Sequence, residues 1–275
     1  MAINQETSIS VPNRKGKINA RVLSEGLGEV QRPLVILHGL LGSSRNWLSV
    51  GKALGEKRLV YGLDLPDHGE SEWSDSPSFE TMSERIVSWL DEEKIEKADW
   101  LGHSLGGKVA MRIASYFPDR VEKLVLADIF PRVYPPHHAK DFTAMERLDV
   151  ANLPDRKTAD EHLSQLVADW GLRQFLLTNL ERKSDSGFRW IVNLEGLRSN
   201  LPTLAGLPYE DREPLECPTL LIYGGRSDFV RQEDLEEAGE FFSDARGARL
   251  ANAGHNLHVE AKEEFVRVVR EFLEG

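Results

Sequence analysis

The residues best suited to chemistry lie in the sequence GHSLG at positions 102–106, with Ser104 at its centre. A serine hydroxyl is a weak nucleophile, so it must be held exposed beside a base and near donors for the oxyanion of acyl transfer. The pattern Gly-x-Ser-x-Gly achieves this at a sharp turn between a strand and a helix. A strand-like run, Ala98–Leu101, precedes the turn, and a helical pattern follows over Leu105–Phe117. The sequence therefore predicts that Ser104 is the nucleophile of a serine hydrolase.

The base that activates such a serine is a histidine, and in enzymes built around this turn the acid and the histidine follow the serine along the chain. His255 meets this requirement, because it lies on a turn between the last strand-like run, Ala248–Leu250, and an amphipathic terminal helix over Glu263–Leu273. The other histidines are interpreted as core or surface residues. We therefore predict that His255 is the catalytic base.

Two aspartates could orient this histidine. Asp128 ends the strand-like run Val121–Ala127, and Asp228 follows the run Thr219–Tyr223. The ends of both strands are expected beside the histidine loop, so either carboxylate could accept a hydrogen bond from the imidazole and stabilise the imidazolium. Position alone favours Asp228, and the aspartate without this role would be an ordinary loop residue.

The developing oxyanion requires backbone N–H donors close to the nucleophile. Leu105 would supply one donor from the first turn of the helix that follows Ser104. Leu40 would supply the other from the loop that begins at His38. We interpret His38 as a support for this loop rather than as a catalyst.

Eight strand-like runs alternate with helical patterns, which favours a mostly parallel sheet with helices on both faces. The runs are Ser8–Val11, Lys17–Ser24, Pro33–Leu37, Leu59–Leu63, Ala98–Leu101, Val121–Ala127, Thr219–Tyr223 and Ala248–Leu250. The sequence NRKG at positions 13–16 separates the first two runs and predicts an opening hairpin. The order of elements therefore predicts an eight-stranded α/β fold in which the candidate residues follow the ends of strands.

The pattern changes between Pro131 and about Arg212, where strand-like runs disappear. Three stretches look helical there: Ala159–Trp170, Leu172–Leu180 and Trp190–Leu197. A helical insertion directly after the sixth strand predicts a cap, because ligand sites of α/β folds lie at the carboxyl ends of strands. The alternative is a helical extension that does not touch substrate. The predicted division is a core of residues 1–131 and 213–275 and a cap of residues 132–212.

The lining of such a cap is expected among its large apolar side chains, although these could equally form the core of the cap itself. The candidates are Phe142, Met145, Trp170, Phe175, Leu176 and Trp190.

The composition is that of an ordinary globular protein, with 40% apolar and 29% charged residues among 275. A formal net charge of −11 argues against binding to nucleic acid, and the single cysteine, Cys217, excludes an internal disulfide framework and a cysteine-rich metal site. The first residues show neither a basic start nor an apolar stretch, so we expect no signal peptide, and the longest apolar runs are far shorter than the ~20 residues that span a bilayer. We expect a cytoplasmic enzyme with no metal, cofactor, membrane or nucleic-acid partner; the oligomeric state stays open.

Taken together, the motifs resemble the small-esterase branch of the α/β hydrolases, which is found in enterobacteria and has mitochondrial relatives. The resemblance extends over essentially the whole chain. It rests on HGLLGS at 38–43, DLPDHGES at 64–71, GHSLGGK at 102–108, RQFLLTNL at 173–180, WIVNL at 190–194 and AGHNLH at 253–258. The serine turn identifies only the superfamily, whereas the stretch at 173–180 is much more specific.

This resemblance implies an α/β-hydrolase fold and a cofactor-free hydrolase of short-acyl esters or thioesters. It also implies that the acid stands at Asp128, which reverses the preference based on position alone. The sequence departs from the family pattern because it carries Asp228 as well. Other reactions of the same triad, namely carbon–carbon bond hydrolysis, a lyase reaction or lactone hydrolysis, remain alternatives, as does a non-catalytic ligand receptor.

Overall fold

A seven-stranded sheet organises the part of the chain that the structure describes. The computed structural model describes residues 16–26, 31–135, 138–184, 186–210 and 213–275. Its strands are β1 (Ala20–Ser24), β2 (Gln31–Leu37), β3 (Arg58–Leu63), β4 (Ala98–His103), β5 (Val121–Ala127), β6 (Leu180–Arg182), β7 (Phe188–Trp190), β8 (Thr219–Gly224) and β9 (Ala245–Leu250). The sheet has the order β1-β3-β2-β4-β5-β8-β9, in which β1 runs antiparallel to β3 and all other neighbours are parallel. The predicted α/β fold is confirmed. The first of the eight predicted strands, Ser8–Val11, lies outside the described residues.

Helices cover both faces of this sheet. They are α1 (Leu48–Leu54), α2 (Phe79–Glu92), α3 (Leu105–Tyr116), α4 (Ala139–Glu146), α5 (Arg156–Ser164), α6 (Trp170–Leu177), α7 (Leu194–Ser199), α8 (Leu201–Ala205), α9 (Gln232–Glu236), α10 (Leu257–Glu260) and α11 (Lys262–Glu274). The buried side chains of α2 and α3 belong to one apolar layer, and those of α1 and α11 belong to another. None of the helices within the described ranges is both long and apolar enough to cross a bilayer.

The strand β2 shows how the sequence produces this layered arrangement. Its side chains alternate between the layers, with Leu34 and Ile36 in the layer of α1 and α11. Val35 and Leu37 lie in the layer of α2 and α3, and all four are at most 1% exposed. A strand covered on both faces must be apolar at every position, which produces the continuous apolar run seen in the sequence. The carboxyl end of β2 leads directly into His38 and the loop of the candidate site.

The residues 132–212, here called the inserted segment, connect β5 to β8 and contain α4 to α8. The prediction that strands are absent from this segment was wrong, because β6 and β7 pair there as an antiparallel hairpin with Leu180 opposite Trp190. The predicted helix Ala159–Trp170 is also interrupted. The carboxylate of Asp169 accepts the N–H of Leu172 at 2.6 Å and thereby begins a new helix.

Candidate active site

Ser104 stands on a strained turn between β4 and α3. Its backbone has φ of 50° and ψ of −117°, which is a conformation that non-glycine residues rarely adopt. The flanking glycines are required by contact, because a Cβ atom on Gly106 would lie 2.4 Å from the carbonyl oxygen of Leu37. A Cβ atom on Gly102 would lie 2.5 Å from the carbonyl oxygen of Gly106. The turn therefore has the strand–serine–helix geometry that the sequence predicts.

His255 and Asp128 form a hydrogen-bonded pair at the carboxyl end of the sheet. The distance from His255 Nδ1 to Asp128 Oδ2 is 2.7 Å, and the aspartate is fully buried. Asp128 directly follows β5 and has a φ of 51°. The carboxylate accepts the Nδ1 proton of the imidazole, so the Nε2 atom of a neutral His255 carries the lone pair that a general base needs.

The structure brings Asp128, and not Asp228, to the histidine. Asp228 is exposed, and no hydrogen bond joins its carboxylate to His255 among the residues that the structure describes. The neighbours of Asp228 occupy the site instead. The hydroxyl of Ser227 donates to Asp128 Oδ2, and the ring of Phe229 stacks on His255 with 3.8 Å between centroids.

Ser227 and Phe229 are residues that the sequence analysis missed. Both lie next to Asp228, so the loop after β8 was the correct region, but nothing in their residue types distinguished them from ordinary loop residues. The backbone N–H of Phe229 donates to the Ser227 hydroxyl oxygen at 3.2 Å, and the backbone N–H of Gly224 donates to Asp128 Oδ1 at 3.0 Å. The loop thus supports the buried carboxylate through several donors.

His103, next to the nucleophile, links the serine turn to the histidine loop. Its Nε2 lies 2.9 Å from the carbonyl oxygen of His255, and the two rings are 4.7 Å apart. Burial holds the pKa of His103 well below its usual value, so the ring is neutral and donates this hydrogen bond. No hydrogen bond joins the Ser104 hydroxyl to His255 within the described part of the chain; such contacts commonly tighten only when substrate binds.

Leu40 and Leu105 lie in the wall of the same pocket as Ser104. The N–H of Leu105 is the first of α3 and therefore has no acceptor within the helix. The helix dipole also favours negative charge at this end of the helix. Leu40 lies in a turn closed by the hydrogen bond from Gly42 N–H to Gly39 O at 3.0 Å. The two residues predicted to supply the oxyanion donors thus lie at the pocket of the predicted nucleophile.

His38 has the supporting position that the sequence analysis expected. Its Nδ1 atom donates to the carbonyl oxygen of Gly39 at 2.8 Å, and its Nε2 atom accepts the N–H of Leu65 at 2.9 Å. Burial lowers the pKa of His38, which keeps the ring in the neutral form that can both donate and accept. His38 therefore ties the turn that contains Leu40 to the loop after β3.

The pocket at Ser104 has a cavity volume of about 60 Å³ and a mostly apolar lining. Its lining consists of Leu40, Ser104, Leu105, Lys108, Ile129, Tyr134, Pro135, His138, Leu201, Leu204, Ala205 and Phe229. A second cavity contains His255 in its wall and shares Tyr134, Pro135 and Phe229 with the first. The nucleophile and the candidate base therefore face adjoining cavities.

The sequence left open whether the six large apolar side chains of the inserted segment line the pocket or form the core of the cap, and none of the six lines the pocket at Ser104. Phe142, Met145 and Leu176 are fully buried in the apolar core, and Trp170 is 66% exposed. Phe175 and Trp190 pack against the same core. The apolar faces of these elements pack inside the protein, while α8 and the segment after β5 supply the pocket wall.

Comparison with known proteins places this geometry in a family. Residues 32–262 match the family model of the alpha/beta hydrolase fold. The chain is 37% identical over 248 residues to sn-1-specific diacylglycerol lipase ABHD11 of Mus musculus, with 87% of this chain and 80% of the relative covered. It is 30% identical over 258 residues to Esterase YbfF of Escherichia coli, with 94% and 99% covered.

The solved structure of a marine microorganism esterase superposes with a TM-score of 0.89 at 32% identity, covering 94% of this chain and 100% of that one. These likenesses confirm the resemblance inferred from the motifs. The chain belongs to the alpha/beta hydrolase fold family.

Proposed function

We propose that this protein is a carboxylic ester hydrolase that cleaves short-acyl esters or thioesters through an acyl-enzyme intermediate. The observation that carries the proposal is the 2.7 Å pair of His255 and buried Asp128 beside the strained turn of Ser104. A nucleophile, a base and an acid in this relation are the requirements for acyl transfer to water. The family membership and the names of the relatives, an esterase and a lipase, support the same reaction class.

In the proposed mechanism, Ser104 Oγ attacks the acyl carbonyl carbon while His255 Nε2 accepts the hydroxyl proton. The N–H groups of Leu40 and Leu105 stabilise the oxyanion, and Asp128 stabilises the imidazolium. The intermediate collapses when the imidazolium protonates the leaving alcohol or thiol. A water molecule then attacks the acyl-enzyme with His255 as base, which releases the carboxylic acid and restores the serine.

The inserted segment serves as the cap in this proposal. Its helix α8 supplies Leu201 and Leu204 to the pocket of Ser104, and an apolar wall of this kind suits the hydrocarbon part of an acyl group. The division into a core of residues 1–131 and 213–275 and a cap of residues 132–212 belongs to the same proposal. The partner is a small-molecule ester or thioester, and the cytoplasmic location expected from the sequence stays a prediction.

The test is hydrolysis of p-nitrophenyl acetate and butyrate by the wild-type protein and by Ser104→Ala. We expect the wild type to hydrolyse both, and the variant to lose at least about 10³-fold in kcat, because the reaction then lacks its nucleophile. Undiminished hydrolysis by the variant would refute the assignment. A fluorophosphonate probe should label Ser104 in the wild type, whereas a non-catalytic receptor would not react there.

The same assay extends to the choice of substrate. A panel that includes acyl thioesters, lactones and carbon–carbon substrates measures kcat/KM for each class. The proposal requires that esters or thioesters of short acyl chains give the highest values. Preference for a lactone or a carbon–carbon substrate would assign the triad to one of the alternative reactions.

A further inference from the structure

Leu41, directly after the proposed oxyanion donor Leu40, has an unusual backbone conformation. Its φ is 59°, in the left-handed region that leucine adopts only at an energetic cost. It forms the middle of the turn from Gly39 to Gly42 together with Leu40. Because both residues belong to one four-residue turn, the direction of the Leu40 N–H depends on the conformation of Leu41. Strain of this kind persists only where the surroundings enforce it.

Two buried side chains hold the backbone of Leu41 from opposite sides. His68 Nε2 accepts the Leu41 N–H at 3.2 Å, and Asn179 Nδ2 donates to the Leu41 carbonyl oxygen at 2.7 Å. The Nδ1 atom of His68 donates to the carbonyl oxygen of Pro66 at 3.0 Å, which leaves Nε2 as the acceptor. Burial lowers the pKa of His68 to about 3, so the ring stays neutral and keeps this role near neutral pH.

These two side chains come from different parts of the molecule. His68 belongs to the loop after β3, whereas Asn179 lies in the inserted segment between α6 and β6. Asn179 is only 1% exposed. Its side-chain amide also donates to the carbonyl oxygen of Leu176 at 3.3 Å, and its backbone carbonyl oxygen accepts the N–H of Ile191 at 2.9 Å. The side chain of Asn179 is thus held by the end of α6, and its backbone by the hairpin.

We infer that Asn179 is a positioning residue for the oxyanion hole. Through its hydrogen bond to the Leu41 carbonyl, it holds the turn in the strained conformation that directs the Leu40 N–H toward the reacting oxygen. The inserted segment therefore does more than enclose the pocket, since its seating on the core also sets the stabilisation of the transition state. This inference rests on the proposed hydrolase function.

The chain offers a matched control in Asn193. This residue also lies in the inserted segment and also joins it to a buried core loop, because its Nδ2 donates to Asp67 Oδ1 at 2.8 Å. Its Oδ1 accepts the N–H of Gly196 at the start of α7, so its removal also disturbs the inserted segment. Asn193 makes no contact with the turn of Leu40 among its described hydrogen bonds.

The experiment compares Asn179→Ala and Asn193→Ala with the wild type on p-nitrophenyl butyrate. Losing a complete oxyanion donor costs about 10²–10³-fold in kcat, so a misdirected donor should cost about 10–100-fold. We expect this loss in kcat for Asn179→Ala with KM changed by less than about threefold, as befits an interaction made mainly in the transition state. Asn193→Ala should keep kcat within about threefold.

A trifluoromethyl ketone of matching chain length supplies a second measurement, because its adduct with serine carries an oxyanion. Its inhibition constant should weaken for Asn179→Ala by the same factor as kcat, and should be unchanged for Asn193→Ala. Asn179→Asp retains the shape and removes the donor, and it should act in the same direction if the alanine variant folds poorly. Equal losses in both alanine variants, a change confined to KM, or an unchanged inhibition constant would overturn the inference. If the wild type itself hydrolyses no ester, both the proposed function and this inference fail.

Discussion

At the scale of single residues, Asp128 is distinguished from Asp228 by its partners. A buried carboxylate is costly unless hydrogen bonds satisfy it. Asp128 has three such partners: the N–H of Gly224, the hydroxyl of Ser227 and the imidazole of His255. Asp228 lies next to Ser227 in the loop after β8, and its side chain faces solvent. The surroundings of Asp128 therefore suit a carboxylate that stabilises an imidazolium, whereas Asp228 is an exposed surface residue.

We expect Asp128→Asn to reduce kcat for p-nitrophenyl butyrate by about 10³–10⁴-fold, because the amide cannot stabilise the imidazolium and can favour the wrong tautomer of His255. Asp228→Asn, the matched control, should keep kcat within about threefold. Steady-state kinetics of the two purified variants decide the matter. The reverse ranking would assign the acid to Asp228, and comparable losses would mean that the two carboxylates share the role.

At the scale of elements, α8 and α3 both contribute to the wall of the pocket at Ser104. Leu201 and Leu204 line it from α8, and Leu105 and Lys108 line it from α3. The Nζ atom of Lys108, on the helix that follows Ser104, donates to the carbonyl oxygens of Ala205 and Gly206 at 2.9 and 2.5 Å. The end of α8 is thus tied directly to the element that carries the nucleophile. Under the proposed function, α8 would limit the length of the acyl chain that this pocket accepts.

We expect Leu204→Ala to shift the preference toward longer acyl chains, because removal of the side chain extends the apolar cavity. The ratio of kcat/KM for p-nitrophenyl octanoate to that for the butyrate should rise several-fold, an apolar contact of one or two methylenes being worth about 1–3 kcal/mol. Leu197→Ala is the control, since Leu197 is fully buried in the inserted segment and does not line the pocket. It should lower the free energy of unfolding by about 2–5 kcal/mol and leave the ratio unchanged. An unchanged ratio in Leu204→Ala would place the acyl chain elsewhere.

At the scale of the whole molecule, the sequence predicts what depends on local pattern. The doubly covered strand β2 and the turn of Ser104 were predictable because burial and glycine spacing leave a direct trace in the chain. Spacing alone could not distinguish Asp128 from Asp228, because both residues follow the ends of neighbouring strands. The sequence left the pocket lining open, because an apolar residue such as Phe142 can face either a core or a cavity. Only the packing of distant elements decides between these two surroundings.

Four buried histidines near the carboxyl end of the sheet affect the stability of the protein in acid: His38, His68, His103 and His258. Burial lowers the pKa of each one below its usual value, and His68 and His258 reach about 3. His258 stacks on Trp47 with 4.1 Å between ring centroids. Their folded pKa values lie below those of the unfolded chain, so on acidification the unfolded chain binds protons first. The contribution of these histidines to the free energy of unfolding is fully present above about pH 6.5 and is lost as the pH falls toward 3.

We therefore expect the free energy of unfolding to fall steeply between pH 7 and pH 5, before most carboxylates titrate. Each buried histidine whose folded pKa is about 3 contributes up to about 1.4 kcal/mol per pH unit, so His68 and His258 together give a slope of up to about 3 kcal/mol per unit. Urea unfolding at a series of pH values measures this slope. His258→Phe preserves an aromatic ring against Trp47 and removes one titrating group. The dependence of its free energy of unfolding on pH should therefore correspond to about one fewer proton bound on unfolding. A wild-type stability that is flat over this range would mean that these rings accept protons without unfolding, and an unchanged slope in the variant would exclude His258 as one of the groups.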